Sequence, residues 1–253
     1  MNILKIDHLT MRFGGLVAVS DFNLSLEKGK IFGLIGPNGS GKTTIFNVIT
    51  GFYKPTEGSI KLDGHKITSL TPDRITKLGL ARIFQNSRVF RDLTVLDNVL
   101  IGDHLRLKSS PLEAVIRTQR YIGEEKYAYD QTMTLLEGLG LAHLVNEKAG
   151  ALPYGLQRKL EVARALSTHP KVLLLDEPAT GMSAEETTEM INFILGVRKD
   201  FDLTILLIEH HMRVVMGICE EIKVLNYGKT IARGTAYEIQ NNQKVITAYL
   251  GVE

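Results

Sequence analysis

Apolar and polar residues alternate with a period of two in two stretches near the start of the chain. Phe22, Leu24 and Leu26 are interleaved with Asn23, Ser25 and Glu27, and Ile60 and Leu62 with Ser59 and Lys61. That spacing marks half-buried strands, so residues 2–35 and 58–64 are predicted as short strands of an antiparallel sheet. A different pattern governs Val172-Leu173-Leu174-Leu175 and Thr204-Ile205-Leu206-Leu207-Ile208, which are apolar without interruption. Continuous runs of this length suit parallel strands covered by helices on both faces, and the segment 184–199 between them reads as their helical crossover. From about 95 to 168 the chain changes character, with many Glu, Gln, Arg, Leu and Ala and helical spacing at Met133, Leu136 and Leu139. This stretch is predicted as a helical subdomain inserted in the α/β core. Two further strands, 222–226 and 229–233, are joined by Tyr227-Gly228, with helices expected at 235–242 and 244–249.

The junction after Ile31-Phe32-Gly33-Leu34-Ile35 carries the chemistry. Gly36, Pro37, Asn38, Gly39, Ser40, Gly41, Lys42 and Thr43 form a complete G-x-x-x-x-G-K-[ST] string, and Thr44-Ile45-Phe46 opens a helical segment behind it. Glycines let the backbone turn its N–H groups and the helix N-terminus toward phosphate oxygens, Lys42 is placed to reach the β- and γ-phosphates, and the Thr43 hydroxyl a Mg²⁺ ion. Residues 36 to 44 are therefore candidate ATP-binding residues. The alternative, a glycine-rich turn without ligand, does not explain the strand before and the helix after. The expected fold class is α/β: a P-loop ATPase core with a mixed, largely parallel sheet, an N-terminal antiparallel β subdomain and the inserted helical subdomain, all within one domain of 1–253.

Bulk properties narrow the partners. Thirty basic and 28 acidic residues give a net charge of +2, and the cations are scattered; no basic stripe exists to hold nucleic acid. A single cysteine, Cys219, excludes an intrachain disulfide and a cysteine-built metal site. No window approaches the length of apolar sequence needed to cross a bilayer, and the first residues meet charge before an apolar core forms. The chain is expected neither to carry a signal peptide nor to insert in a membrane by itself.

Other residues complete a hydrolytic set. Asp176-Glu177-Pro178 follows a buried run directly, which puts two carboxylates at the strand end where open α/β sheets bind ligands. Asp176 is the candidate to hold Mg²⁺ through water, and Glu177 the candidate to act on the water attacking the γ-phosphate. His210, just past the next apolar strand, is a candidate hydrogen-bond donor to the γ-phosphate; its neighbour His211 is less directly in line with that strand. Phe13, an aromatic followed by two glycines, is either a core residue or a flat partner for a purine. Gln85 says nothing by itself.

Taken in order, these motifs resemble the ATP-binding subunit of an ABC transporter over essentially the whole chain. The resemblance implies that Phe13 stacks on adenine, that Gln85 contacts Mg²⁺ and senses the membrane subunits, that Asp176 and Glu177 are the metal-holding and catalytic carboxylates, and that His210 is the switch histidine. Leu152-Pro153-Tyr154-Gly155-Leu156 stands where the family carries its L-S-G-G-Q signature, with Tyr154 and Gly155 expected to touch the ATP held by a partner chain. Pro153 replaces the signature serine, and Ser183 stands where many relatives place an aspartate. Further matches, Phe13-Gly14-Gly15-Leu16-Val17-Ala18-Val19, Phe46-Asn47-Val48-Ile49-Thr50-Gly51-Phe52-Tyr53-Lys54-Pro55 and Ala248-Tyr249-Leu250-Gly251, are similar to the larger ATPase subunit of branched-chain amino acid importers. That resemblance implies two transmembrane permease subunits, a second ATPase subunit, an extracytoplasmic solute-binding protein and a peripheral place on the cytoplasmic face of the membrane. Importers of other amino acids or urea and lipid exporters share much of the pattern; a non-transport ATPase of the same class fits less well, because neither a coiled-coil insertion nor a basic face is present.

Overall fold

Strands β1 (Asn2–Phe13) and β2 (Leu16–Glu27) pair antiparallel, and β1 pairs on its other edge with β4 (Glu57–Leu62), which carries the two-residue β5 (His65–Lys66). In this computed structural model, which describes residues 1–85, 89–103 and 109–250, the first sheet has the order β2-β1-β4-β5. Its period-two residues face inward as the spacing requires: Phe22, Leu26, Ile60 and Leu62 are fully buried and Leu24 nearly so.

β3 (Ile31–Ile35) departs from the sequence reading, which placed it in this antiparallel sheet. It joins a second sheet instead, of order β10-β9-β3-β8-β7-β6, where it runs parallel to both neighbours, β8 (Thr204–Ile208) and β9 (Glu221–Asn226). All five of its residues are buried. A strand with no polar face has nothing to present to water, so it belongs at the centre of a sheet covered on both sides. β6 (Leu80–Ile83) and β7 (Val172–Asp176) continue the parallel array, and β10 (Lys229–Gly234) closes the other edge antiparallel to β9. At Gly33 the backbone comes so close to Cys219 that an added Cβ would lie 3.0 Å from its Sγ, and the thiol itself is buried.

The helices of this part are α1 (Lys42–Ile49), α2 (Pro72–Lys77), α7 (Ala184–Asp200), α8 (Met212–Ile218), α9 (Ala236–Gln240) and α10 (Gln243–Leu250), once α3 to α6 are assigned to the intervening segment. α1 buries Ile45, Phe46, Val48 and Ile49 in the core shared with both sheets. α7 starts at a capping box, in which the Ser183 hydroxyl accepts from the Glu186 amide and Glu186 accepts from the Ser183 amide.

The chain divides into two compact units, Met1–Gln85 with Lys171–Glu253, and Asn86–Pro170. The second contains α3 (Val95–Asp103), α4 (Pro111–Val115), α5 (Gln119–Gly138) and α6 (Tyr154–Leu166), packed around Val95, Val99, Leu136, Leu141 and Leu160. It is wider than the 95–168 read from composition, because the segment around the buried Val89 packs into the same core. Residues 104–108 of that range and Gly251 of the C-terminal match lie outside the described residues. No described helix is long and apolar enough to cross a membrane.

Candidate active site

The loop between β3 and α1 is shaped by backbone that only glycine accepts. Gly36 has φ 149° and Gly41 φ 103°. A Cβ on Gly36 would stand 2.1 Å from the Leu225 carbonyl oxygen, and one on Gly41 2.8 Å from that of Ala18. The loop is also tied from outside. The Gly228 amide donates to the Ser40 carbonyl at 3.0 Å, and the Ser20 amide to the Gly228 carbonyl at 2.9 Å, so the β9–β10 turn links the loop to β2.

Lys42, 8% exposed, folds back over the loop and donates from Nζ to the Gly36 and Pro37 carbonyls at 2.7 and 2.9 Å. Burial pulls its pKa below the ordinary lysine value, opposed by the carboxylates of Glu177 and Asp176. Gly41, at the N-cap of α1, offers no side-chain cap, so the first-turn amides are left for a ligand. The Ser40 hydroxyl is buried and has no hydrogen-bond partner among the described residues. A cradle with no room for a Cβ, an uncapped helix start, a buried ammonium and an orphaned hydroxyl fit a phosphate chain, which supplies acceptors for all of these donors.

This loop forms one wall of a cleft of about 420 Å³ lined by Leu16, Val17, Ala18, Asn38, Gly39, Ser40, Gly41, Lys42, Thr43, Thr44, Gln85, Glu177 and Tyr227. Phe13 does not line it. Its ring is 42% exposed and packs edge-on against Tyr53, centroids 5.3 Å apart. The exposed Leu16 and Val17 supply apolar surface beside the loop that the sequence reading did not single out.

Glu177 is the hub of the opposite wall. It follows the last residue of β7 with φ 51°, and its amide donates to the Ile208 carbonyl at 2.9 Å. Three side chains converge on its Oε2: Gln85 Nε2 donates at 2.5 Å, the Thr180 hydroxyl donates at 3.2 Å, and His210 Nδ1 lies 3.4 Å away. Strand register explains the meeting, since β6 and β8 flank β7 and their C-terminal ends bring Gln85 and His210 alongside. Asp176 is 6% exposed, and burial pushes its carboxyl above the usual range while the Arg82 guanidinium, 2.7 Å from Oδ2, pulls it back.

Comparison with known proteins settles the family. A model described as "ABC transporter" matches residues 19–180, and one described as "Branched-chain amino acid ATP-binding cassette transporter" matches 229–253. The chain belongs to the ABC transporter family. Among curated relatives of this cassette, the high-affinity branched-chain amino acid transport ATP-binding protein LivG of Salmonella typhimurium is 45% identical over 98% of each chain. The corresponding protein BraF of Pseudomonas aeruginosa is 44% identical over the same share. Among solved structures, an ABC transporter ATP-binding cassette in its ADP conformation superposes with a TM-score of 0.87 at 33% identity, covering 99% of both chains. A nucleotide-free cassette gives 0.85 at 34%, covering 98% of this chain and 99% of its own.

Within the cassette, the sequence reading passed over residues whose part is to hold others. Glu209 was read only as the strand residue before His210. Its buried carboxylate accepts from the Ala179, His210 and His211 amides at 3.3, 2.7 and 3.0 Å, which fixes the loop carrying the histidine. Thr180 and Arg82 were not singled out; Thr180 reaches Glu177 from three residues further along the chain, whereas only the fold brings Arg82 to Asp176. Tyr154 and Gly155 lie in the helical unit, in the first turn of α6. There the Tyr154 hydroxyl accepts from Arg158 Nε at 3.0 Å, and Arg158 also donates to the buried Glu161 at 2.7 Å. Pro153 is the N-cap of α6 and makes no side-chain capping bond.

Proposed function

We propose that this chain is the ATP-hydrolysing subunit of an importer of branched-chain amino acids, acting as one cassette that spans residues 1–253 with the helical unit inserted. The observation that carries the hydrolytic reading is the convergence of Gln85, Thr180 and His210 on Glu177 across the cleft from the phosphate loop. The 45% identity to LivG, a branched-chain amino acid transport protein, over nearly the whole chain supports the cargo.

In this reading the amides of residues 38–44 and Lys42 hold the phosphate chain of ATP, and Phe13 stacks on the base. Thr43, Asp176 and Gln85 would hold Mg²⁺, directly or through water, and the ion would supply neutralisation of phosphate charge. Glu177 orients the attacking water and accepts its proton, while His210 donates to the γ-phosphate as charge develops there. Gln85, bonded to Glu177, is the residue through which a membrane subunit reaches the base. Tyr154 and Gly155 close over ATP held by a second ATPase subunit. Two transmembrane permease subunits and an extracytoplasmic binding protein complete the importer, with this chain peripheral on the cytoplasmic face. Nucleic acid has no part in it.

Glu177→Gln tests the base. ATP affinity is expected to stay within about twofold of wild type and turnover to fall at least about a hundredfold; normal ATPase rates would overturn the assignment. The cargo is tested by labelled leucine uptake in cells whose only copy of the chain is Glu177→Gln. Uptake is expected to stop, and undiminished leucine uptake with loss of another solute's transport would move the chain to a different importer.

A further inference from the structure

Arg82 belongs to no phosphate-binding or hydrolytic motif, yet its side chain joins three elements at the nucleotide site. It projects from β6 and is 4% exposed. Nη2 donates to Asp176 Oδ2 at 2.7 Å, at the end of β7, and Nη1 donates to Asn47 Oδ1 at 2.7 Å, on α1. The guanidinium carbon lies over two aromatic rings, 4.3 Å from the centre of Phe84 and 5.3 Å from that of Phe46. Phe84 meets Phe52 edge-on at 5.7 Å, and both rings reach the surface.

A carboxylate at a strand end has a broad, shallow torsion about its last bond, so its oxygens point in a set direction only if something holds one of them. A planar fork with two short donor bonds, set over aromatic rings, does this; a lysine ammonium, a point charge on a flexible stem, does not. With Oδ2 fixed, the direction of Oδ1 is fixed too. The anchor on Asn47 matters because α1 begins at Lys42, so the carboxylate is set in register with the helix that carries the phosphate loop.

We propose that Arg82 is a positioning residue that orients Asp176 for the metal of the Mg–ATP complex and ties that orientation to α1 and to the Phe84 ring ahead of Gln85. This rests on the reading of Asp176 as a metal-holding residue. It assigns the exposed Phe84 and Phe52 rings a second consequence: pressure on them acts on Asp176 through one buried side chain.

The test compares ATP affinity of the full chain in Mg²⁺ and in EDTA for wild type, Arg82→Lys, Asn47→Ala and Asp176→Asn, alongside melting temperature. Arg82→Lys is expected to weaken affinity in Mg²⁺ about tenfold, the low end of what loss of an outer-shell partner costs, with affinity in EDTA unchanged. Asn47→Ala, which keeps both charges, is expected to shift the ratio in the same direction by a smaller factor, and it carries the test if Arg82→Lys does not fold. A wild-type ratio in both variants, with Asp176→Asn lowering it, overturns the inference alone. A wild-type ratio in Asp176→Asn overturns the reading beneath it as well. Equal weakening in both solutions with a lower melting temperature gives Arg82 a structural part only and also overturns the inference.

Discussion

Lys42 and Lys223 are both buried lysines with lowered pKa values, and their partners separate their parts. Lys42 spends its donors on two loop carbonyls within reach of the phosphate cleft. Lys42→Ala is expected to abolish measurable ATP binding in a calorimetric titration while leaving the melting temperature of the nucleotide-free chain within a few degrees. Lys223, 5% exposed on β9, donates to the Asn23 carbonyl and sits over the Phe22 ring, 5.1 Å from its centre. Burial, with Arg233 adding to it and Glu221 opposing, pulls its pKa down to about 8. The folded state therefore releases this proton well before the unfolded chain does. Between pH 8 and 10.5 the unfolded chain binds more protons, so Lys223 penalises folding fully below about pH 8 and the penalty is relieved as pH rises. Unfolding free energy of wild type relative to Lys223→Met is expected to rise on the order of 3 kcal/mol from pH 7 to 10.5; a flat difference in denaturant titrations would contradict this.

At the scale of elements, two helix starts carry Ser183 and Pro153, the residues that the sequence reading set apart from the family's usual motifs. Ser183 begins α7 in a reciprocal capping box with Glu186. The serine thus has a local duty, and Ser183→Ala is expected to cost about 1 kcal/mol in unfolding experiments, with Ser183→Asp neutral to within about 0.5 kcal/mol because aspartate caps as well. Pro153 begins α6 with no side-chain cap. Pro153→Ser adds a capping hydroxyl and restores a backbone N–H, so it is expected to raise the melting temperature slightly and to strengthen ATP-dependent dimerisation seen in light scattering. Weaker dimerisation would show that the proline serves the contact. Much of this architecture was legible in the sequence, since period-two alternation at Phe22, Leu24 and Leu26 and continuous burial at Val172–Leu175 each permit one environment. β3 was misplaced because Ile31–Ile35 follows an alternating strand closely, and sequence proximity was allowed to outweigh its wholly apolar face. Of the site, the loop glycines and the Asp176-Glu177 pair announce themselves by spacing. Arg82 and Asn47 do not, because their partners are 94 and 35 residues away, and Thr180, though only three residues from Glu177, does not because a lone polar residue carries no pattern.

For the whole molecule, the site residues come from segments as distant as Gly36, Gln85, Glu177 and His210, gathered because β3, β6, β7 and β8 end on the same edge of one sheet. Tyr154 and Gly155 belong to the other compact unit. The chain also has a built-in experimental convenience. Cys219 is its sole cysteine, lies buried against Gly33, and has its thiol pushed up to about 12 by burial, with Glu209 and Glu220 adding to the effect. Almost no thiolate exists at neutral pH to attack a reagent. Native protein should therefore ignore maleimide dyes, and a single cysteine introduced at an exposed site such as Tyr237 would take the whole label without first removing Cys219. The same silent thiol becomes reactive when the segment that follows α8 lifts off Gly33 of β3, so the rate of dye uptake by unaltered protein clocks that opening.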